Sequence, residues 1–345
     1  MRYSIIVPVY NRPDEVEELL ESLTRQTFRD FETIIVEDGS EVTCRSVCDK
    51  YKDLLPLSYY EKANSGPGQS RNYGAERAQG EYLIILDSDV VLPDQYLEAV
   101  ETELSAQPCD AFGGADAAHP SFTPVQKAIS YSMTSFFTTG GIRGGKKKLD
   151  RFYPRSYNMG IRRETYQKLG GFSPMRFGED IDFSYRIIEA GCTSRLFPNA
   201  WVWHKRRTDL RKFFRQVYNS GIARINLTKR HPGTMKPVHL LPALFTVGTA
   251  GLILLSAAGR ILMEYDDTHR WYWLCAAPWL PILLYSSMIC LDATIQNRSL
   301  KIGAISVAAA FVQLTGYGSG FIEAWWKRCL LGKDEFHAFE KTFYK

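Results

Sequence analysis

The sequence lacks several features that would indicate common classes of protein. Its 345 residues include 7 cysteines, an odd number, and no Cys-x-x-Cys pair. It therefore indicates neither a disulfide framework nor a cysteine-rich metal site. Cys44 and Cys48 stand one helical turn apart, and we interpret this spacing as incidental helix packing. The formal net charge is only +4, and no nucleic-acid-binding motif occurs, so we expect no nucleic-acid partner.

A secretion signal is also lacking at the start of the sequence. Met1 leads almost directly into SIIVPVY, an apolar run that is too short for a signal peptide and has no cleavage site. Together with the unpaired cysteines, this favours a reducing compartment. We expect the first domain to stay in the cytoplasm.

Charges are scarce in one part of the chain. Residues 238–326 are mostly apolar, whereas residues 1–236 mix charges with short apolar runs. An apolar helix needs about 20 residues to cross roughly 30 Å of hydrocarbon. We therefore assign residues 237–328 to an all-α membrane region, in which the long apolar segments are about 238–263, 271–293 and 302–326.

The first two apolar segments are predicted to form a transmembrane hairpin. Its outer turn, EYDDTHR, is acidic, while Arg298 and Lys301 lie on the other side, as the positive-inside rule expects for the cytoplasm. The third segment contains the small and polar residues of QLTGYGSGF and is followed by Lys327, Arg328 and Lys333. Whether this third segment crosses is left open. We predict a multi-pass protein of the inner (cytoplasmic) membrane.

A basic amphipathic helix is predicted just before the membrane region, within residues 209–236. The stretch DLRKFFRQVYNSGIARINLTKR mixes Phe213 and Val217 with many arginines and lysines. Such a helix either lies on an anionic membrane surface or packs on its domain with a solvated basic face. The sequence leaves both alternatives open. Residues 329–345 form a C-terminal tail.

The first hundred residues alternate strand and helix patterns. YSIIVPVY, FETIIVEDGS, LPLSYYEK and EYLIILDSD read as strands, and helical spacing follows the first three. This α/β alternation predicts a Rossmann-like, mostly parallel sheet with helices on both faces, which binds ligands at the carboxyl ends of its strands. The polar signatures YNR, EDGS and DSD fall at such ends, a coincidence that core packing does not require.

Two aspartates, Asp87 and Asp89, end the fourth strand, and no basic residue lies within the run LIILDSDVVLP. Two carboxylates this close need a compensating cation. Carboxylate oxygens suit Mg²⁺ or Mn²⁺. We therefore predict that the missing positive charge arrives as a divalent ion.

These motifs, in this order, resemble the family-two inverting glycosyltransferases of the GT-A fold. The resemblance rests on VPVYNR, VEDGS, NSGPGQSRNYGAERAQGEYLIILDSDV and GGFSPMRFGEDIDFSYRI, which lie within residues 3–205. It implies that residues 1–208 are a GT-A glycosyltransferase domain that binds a nucleotide-sugar donor, expected to be a UDP-sugar. With its membrane segments, the chain is similar to bacterial exopolysaccharide and O-antigen glycosyltransferases.

The resemblance also implies roles for individual residues. Glu37 and Asp38 are expected to contact the nucleotide base, while Gly66, Arg71 and Asn72 are expected near the ribose and diphosphate. The full set implied in nucleotide-sugar binding is Pro8, Val9, Tyr10, Asn11, Glu37, Asp38, Gly66, Arg71, Asn72, Asp87 and Ser88.

Metal and catalytic roles follow from the same resemblance. A divalent metal, Mg²⁺ or Mn²⁺, is implied at Asp89 and Asp87, with the late histidine His204 as a further ligand. Asp180 is implied as the base that takes a proton from the acceptor hydroxyl, with Glu179 orienting the acceptor or the helix. N-terminal helix capping is the structural alternative for this acidic pair.

The implied function is transfer of a single sugar to a lipid-linked, polyprenyl-type acceptor at the cytoplasmic membrane face. Membrane lipids are therefore expected partners. Processive synthases carry a Gln-x-x-Arg-Trp signature, whereas Gln216 is followed here by VYNSGIAR. Two alternatives remain: a polyprenyl-phosphate glycosyltransferase, whose acceptor needs no base, and a catalytically inactive membrane-tethered scaffold.

The basic loop at Lys146, Lys147 and Lys148 either contacts phosphates or lipid head groups or is solvated.

Overall fold

The computed structural model describes residues 1–117, 119, 121–139, 152–265 and 271–339. These residues divide into two compact units. Unit 1 comprises residues 1–117, 119 and 152–205, and unit 2 comprises residues 121–139, 206–265 and 271–339. The predicted first domain, 1–208, is continuous, whereas the structure assigns residues 121–139 to the second unit. The basic loop at Lys146–Lys148 lies outside the described residues.

The strands, in chain order, are β1 (Tyr3–Val9), β2 (Phe31–Asp38), β3 (Leu57–Lys62), β4 (Tyr82–Leu86), β5 (Val90–Val91), β6 (Ala111–Gly113), β7 (Asp116–Ala117), β8 (Asn158–Arg162), β9 (Ser194–Leu196) and β10 (Val202–His204). The helices are α1 (Pro13–Thr24), α2 (Arg45–Tyr51), α3 (Pro67–Ala75), α4 (Tyr96–Ala106), α5 (Pro124–Thr134), α6 (Phe136–Thr139), α7 (Arg163–Lys168), α8 (Glu179–Glu189), α9 (Leu210–Arg230), α10 (Leu241–Tyr265), α11 (Tyr272–Ala276), α12 (Trp279–Asn297) and α13 (Leu300–Trp325).

Unit 1 is built on a seven-stranded sheet with the order β3-β2-β1-β4-β8-β6-β9. The first four of these strands run parallel to one another, β6 and β9 pair in parallel, and β8 is antiparallel to both of its neighbours. Side chains alternate between the two faces of a strand, and β1 accordingly places Ile5 and Val7 in one buried cluster and Ile6 in the other. The predicted mostly parallel sheet is confirmed.

A second, three-stranded sheet with the order β5-β10-β7 completes unit 1. The pattern of TSRLFPNAWVWHKRR predicts one closing strand, but the stretch forms two strands, β9 and β10, which belong to different sheets. A turn at Phe197, where the backbone N–H of Ala200 donates to its carbonyl, separates them, and Pro198 between these two residues has no N–H for a ladder. The break lets β10 pair with β5, so that His204 lies opposite Val90.

Unit 2 is helical, and its helices α9 and α13 pack at very short range. A Cβ on Gly221 of α9 would lie 2.1 Å from the carbonyl oxygen of Tyr317, and one on Gly320 of α13 would lie 2.1 Å from that of Tyr218. Only residues without a Cβ permit such an approach of two backbones. These glycines therefore fix the packing of α9 on α13.

The apolar face of α9 is covered by other helices of unit 2. Phe213 and Val217 are buried in one cluster with Ile302 and Ala309 of α13. Of the two alternatives that the sequence leaves open for this helix, the structure shows its apolar side chains packed on protein.

Among the residues that the structure describes, three helical segments are long and apolar enough to cross a membrane, namely Leu241–Tyr265, Tyr272–Asn297 and Leu300–Leu330. They fall where the sequence predicts apolar segments. The first two expose large apolar side chains such as Leu254, Leu280 and Ile295. Exposed apolar faces of this size are typical of surfaces that contact lipid.

We predict that Gly221→Ala destabilises unit 2, because the new Cβ forces α9 and α13 apart. Overpacking of this kind costs about 1–3 kcal/mol, which should lower the melting temperature of the purified protein in detergent. Gly248→Ala is the matched control, since nothing lies within 4 Å of a Cβ at Gly248 in α10. Equal melting temperatures for the two variants would contradict the close approach.

Candidate functional site

Asp87 and Asp89 lie directly after β4, at the edge where the parallel strands of unit 1 end. Together with His204 they form a group whose potential ligand atoms all lie within 4.8 Å of one another. The pairing of β10 with β5 brings His204 to this edge, where its Nε2 is 3.3 Å from Oδ1 of Asp89. The structure thus gathers the three residues predicted to hold a metal.

His204 is held in place by neighbours that the sequence analysis did not assign to the site. Its ring stacks on Tyr157, with centroids 4.9 Å apart, and its Nδ1 is 3.8 Å from Oδ2 of Asp116. A carboxylate behind an imidazole is the usual arrangement that orients a metal-binding histidine. No local motif marks Tyr157 or Asp116: the pairing of β10 with β7 brings Asp116 to the histidine, and Tyr157 lies directly before β8 of the larger sheet.

Two arginines already compensate the aspartates. Nη2 of Arg71 is 2.8 Å from Oδ1 of Asp87, and Nη1 of Arg12 is 2.8 Å from Oδ2 of Asp89. The expectation that these carboxylates lack a cationic partner is therefore wrong, because the partners come from α3 and from the loop after β1. Two carboxylates and one imidazole still fit a divalent ion such as Mn²⁺.

Arg71 is the buried link between two acidic groups from different elements. Only 3% of its side chain is exposed, and its Nη1 lies 2.9 Å from Oε1 of Glu179 while Nη2 contacts Asp87. Its guanidinium also lies over the ring of Phe172, 5.2 Å from the centroid, a favourable cation–π geometry. Because α3 begins at Pro67, directly after Gly66 with its φ of +90°, Arg71 lies in the second turn of that helix.

Glu179 and Asp180 begin α8, as predicted, and each pairs with an arginine. Oδ2 of Asp180 accepts a hydrogen bond from Nε of Arg155 at 2.7 Å. Burial by itself would raise the pKa of Asp180, but the Arg155 guanidinium outweighs it and holds that pKa below its usual value. Burial, with the Asp180 charge added, raises the pKa of Glu179 against the opposing pull of Arg71. Asp180 is therefore the acid of the pair that is held ionised.

Helix capping accounts for only part of the contacts of these two acids. The residue at the cap position of α8 is Gly178, with φ of +86°, and no side chain caps the helix there. The carboxylate of Glu179 is directed to Arg71, whereas that of Asp180 pairs with Arg155 and also accepts a hydrogen bond from the backbone N–H of Ile181 at 2.9 Å. Their negative charges still favour the first turn of the helix.

Glu37 and Asp38 lie at the end of β2, as predicted, and their carboxylates contact other residues of the protein. Asp38 accepts hydrogen bonds from Nζ of Lys62 at 2.6 Å and from the backbone N–H of Gly66 at 2.9 Å. Glu37 accepts one from the backbone N–H of Cys44 at 2.8 Å. Both carboxylates hold the loops around the strand ends in place, and their contact with a nucleotide base stays a prediction.

Asn11 and Asn72 also anchor loops. Asn11 has a φ of +54°, and its Oδ1 accepts hydrogen bonds from the backbone N–H groups of Glu41 and Val42 at 2.8 and 3.0 Å. Asn72 donates to the carbonyl of Phe172 at 2.9 Å and accepts from its N–H at 2.8 Å. Any contact of these asparagines with a nucleotide sugar stays a prediction.

The remaining predicted residues lie along the same edge of the sheet. Pro8 and Val9 are the last residues of β1, and Tyr10 follows them. Ser88 is buried between the two aspartates. Sequence reasoning missed Arg155 in the site, because the stretch around it has no recognisable motif and its role depends on its ion pair with Asp180.

Comparison with known proteins identifies the part of the chain that carries most of these residues. Residues 4–170 match the sequence profile of the family described as glycosyl transferase family 2. The match includes Asp87 and Asp89 and ends before Glu179, Asp180 and His204.

Two curated relatives illustrate the similarity. A Haemophilus influenzae protein described as an uncharacterized glycosyltransferase is 32% identical over 193 residues, which cover 54% of this chain and 62% of the relative. The Staphylococcus aureus poly(ribitol-phosphate) beta-N-acetylglucosaminyltransferase TarS is 39% identical over 93 residues, or 26% of this chain and 16% of TarS. The chain thus spans less than two thirds of the length of these relatives.

Solved structures show the same fold at low sequence identity. The mannosyltransferase PcManGT of Pyrobaculum calidifontis, in complex with GDP-Man and Mn²⁺, has a TM-score of 0.56 and 17% identity, with 95% of this chain and 88% of that chain covered. Residues 1–349 of Staphylococcus aureus TarS, in complex with UDP-GlcNAc, have a TM-score of 0.50 and 17% identity, with 99% and 95% covered. The predicted GT-A fold is confirmed.

We predict that the purified protein binds Mn²⁺ through Asp87, Asp89 and His204. Asp89→Asn and His204→Gln should each weaken Mn²⁺ binding by at least about 10-fold, because changes even to residues that support metal ligands cost 10–100-fold. Electron paramagnetic resonance of free Mn²⁺ during a titration measures the affinity. Asp94→Asn, at an exposed acid paired with Arg25, serves as the control, and equal affinities for all variants would contradict the site.

Proposed function

We propose that the protein, whose residues 4–170 match glycosyl transferase family 2, transfers a single sugar from a nucleotide-diphosphate sugar to an acceptor, with inversion at the anomeric carbon. The observation that carries the proposal is the group of Asp87, Asp89 and His204 at the carboxyl edge of the sheet. Complexes of similar folds with UDP-GlcNAc and with GDP-Man support a nucleotide-sugar donor.

The metal site is proposed to hold Mg²⁺ or Mn²⁺ at Asp87, Asp89 and His204. When bound, such an ion supplies positive charge for the donor diphosphate and for the nucleotide diphosphate that departs. Arg71 and Arg12 each hold one of the aspartates from a different element. This arrangement fixes both carboxylates before any ligand arrives, which reduces the reorganisation needed on binding.

Asp180 is the proposed base for a hydroxyl acceptor. Inverting transfer needs a group that takes the acceptor proton as the hydroxyl oxygen attacks the anomeric carbon. Because the ion pair with Arg155 lowers its pKa, Asp180 is ionised at neutral pH and is able to accept that proton. Glu179 is proposed to orient the start of α8 through its contact with Arg71.

The ion pair of Asp180 with Arg155 also favours a second acceptor class. A carboxylate with a lowered pKa is a weak base, whereas a polyprenyl phosphate is already ionised and needs none. Transfer to a polyprenyl phosphate is therefore the alternative reaction. The third alternative, an inactive scaffold that only binds nucleotide sugars, is disfavoured by the presence of Asp87, Asp89 and Asp180 together.

A lipid-linked acceptor is proposed because of unit 2. Its apolar helices α10 and α12 are suited to membrane insertion, and a polyprenyl-type acceptor is held in the same bilayer. We propose that the protein works at the cytoplasmic face of the inner membrane, in the assembly of a cell-surface polysaccharide or glycan.

We predict that the purified full chain, supplied with a membrane lipid extract and Mn²⁺ or Mg²⁺, releases nucleoside diphosphate from one member of a panel of UDP- and GDP-sugars. Chelation with EDTA should abolish the release, and Asp89→Asn should reduce its rate about 100-fold or more, since positioned charges contribute factors of this size. Asp49→Asn, at an exposed acid of α2, is the control. Donor binding without turnover by the wild type would favour the scaffold.

We predict that Asp180→Asn separates the two acceptor classes. General-base catalysis contributes about 10²–10⁴-fold, so the variant should lose at least 100-fold in kcat with a hydroxyl acceptor while it still binds the donor. With a polyprenyl phosphate acceptor, kcat should stay within a few-fold of the wild type. Donor affinity and melting temperature report whether the variant is folded, and full activity of the folded variant on a hydroxyl acceptor would exclude the base role.

A further inference from the structure

The third apolar helix, α13, differs from the other two in how it is surrounded. Within the protein, 39% of its most apolar stretch is buried, against 6% and 11% for the stretches in α10 and α11–α12. The first two segments therefore leave their apolar faces open to lipid, whereas α13 uses much of its surface for contacts with protein. Length and composition alone do not reveal this difference.

The helix that covers α13 is too charged to cross a membrane. α9 packs along α13: Phe213 and Val217 share one buried cluster with Ala309, and Ile225 shares another with Ala324. The two ends of α9 carry exposed cationic side chains, namely Arg211 and Lys212 at the start and Lys229 and Arg230 at the end. Charged groups are costly inside the hydrocarbon. Since α13 lies beside α9 over this length, both helices occupy the same depth.

The helices α10 and α12 correspond to the predicted transmembrane hairpin. α13 contacts them at one end of this hairpin. Oγ1 of Thr246 donates to the carbonyl of Leu314 at 3.3 Å, and the ring centroids of Phe245 and Phe311 are 5.3 Å apart. α10 continues from there to Tyr265, which at about 1.5 Å per residue is roughly 28 Å farther. That distance is close to the thickness of the hydrocarbon core.

The second hairpin helix, α12, meets α13 and α5 at its own C-terminal end. A Cβ on Gly303 of α13 would lie 2.0 Å from Oγ1 of Thr294, near the end of α12. At the same level, the hydroxyl of Tyr131 in α5 donates to Oδ2 of Asp292 at 2.6 Å. A carboxylate at this position, hydrogen-bonded to a tyrosine hydroxyl, indicates the water-facing end of α12.

The chain after α13 returns to α9. The side chain of Asn219 donates to the carbonyl of Ala338 at 3.0 Å and accepts from its N–H at 2.8 Å. Nη2 of Arg230 is 2.8 Å from Oε2 of Glu335. The C-terminal segment up to residue 339 therefore lies on the same side of the hairpin as α9.

We propose that α13 does not cross the membrane and that the described part of the chain crosses twice, through α10 and α12. α13 lies with α9 in the plane of the membrane interface, on the side where the hairpin begins and ends. This topology explains why basic residues follow α13, because Lys327, Arg328 and Lys333 then lie on the same side as the basic ends of α9.

The last residue of α13 and the turn that follows it supply the contact with lipid head groups. Trp325, Trp326 and Leu330 are 46%, 55% and 54% exposed, and Lys327 and Arg328 stand between them in sequence. Tryptophans with cationic neighbours suit the head-group layer of an anionic bilayer. The partner of this surface is therefore an anionic lipid membrane, and the surface is continuous along the chain with α13.

The number of crossings is testable with the exposed native thiol of Cys329. The other native cysteines are first replaced by serine or alanine: Cys44, Cys48, Cys109, Cys192, Cys275 and Cys290. Lys212→Cys then reports the side of α9, and Tyr265→Cys reports the far end of α10, where Tyr265 is 85% exposed. A membrane-impermeant maleimide is applied to sealed vesicles of both orientations, and detergent-treated samples show that each thiol reacts.

Cys329 and Lys212→Cys should be labelled in the same vesicle orientation, and Tyr265→Cys in the opposite one, with at least a 10-fold difference in labelling rate. Labelling of Cys329 together with Tyr265→Cys, or only after detergent treatment, would overturn the proposal. The readout needs no enzymatic activity and is therefore independent of the proposed function.

The lipid contact is testable by tryptophan quenching in phosphatidylglycerol vesicles that contain the reconstituted full chain. The difference in tryptophan emission between the wild type and the double variant Trp325→Phe/Trp326→Phe is the emission of these two side chains. Phospholipids brominated near the head group should quench this emission more strongly than phospholipids brominated near the chain ends. Trp201→Phe, in unit 1, controls for the loss of a tryptophan elsewhere. Equal or absent quenching of the difference emission would refute the interfacial position.

Discussion

The site in unit 1 depends on one buried ion pair network, in which the guanidinium of Arg71 joins Asp87 after β4 to Glu179 at the start of α8. Removing a charge from water is costly, and a buried cation is stable only when its partners are held in good geometry. Each of the three residues therefore constrains the other two. Because they belong to α3, the end of β4 and α8, the network fixes the relative positions of the elements that carry the site.

The same principle recurs at the other acids of the site. Asp89 pairs with Arg12, and Asp180 pairs with Arg155, so each of these carboxylates has an arginine from a different element. The acids are thereby ordered without a ligand, and their charges are largely balanced. A divalent ion and a diphosphate carry opposite charges, so the pair enters such a site with less electrostatic cost than either alone.

Unit 2 uses a different means of holding its elements together. Close helix packing there relies on Gly221 and Gly320 and on hydrogen bonds from Asn219 to the C-terminal segment. Small residues are effective at such contacts because dispersion forces increase as backbones approach. The helices that leave their apolar faces open, α10 and α12, are those best suited to contact lipid.

The sequence by itself determined the mostly parallel sheet, the start of α8 at Glu179 and the acids at the strand ends, because these features depend on local periodicity and on motifs a few residues long. It also indicated His204, through resemblance to a family. Only the tertiary structure decided the partners of those acids and the surroundings of α13. Arg71 and Glu179 are 108 residues apart in the chain, and Tyr131 and Asp292 are 161 apart. Contacts at such separations arise from the packing of whole elements, and no local pattern encodes them.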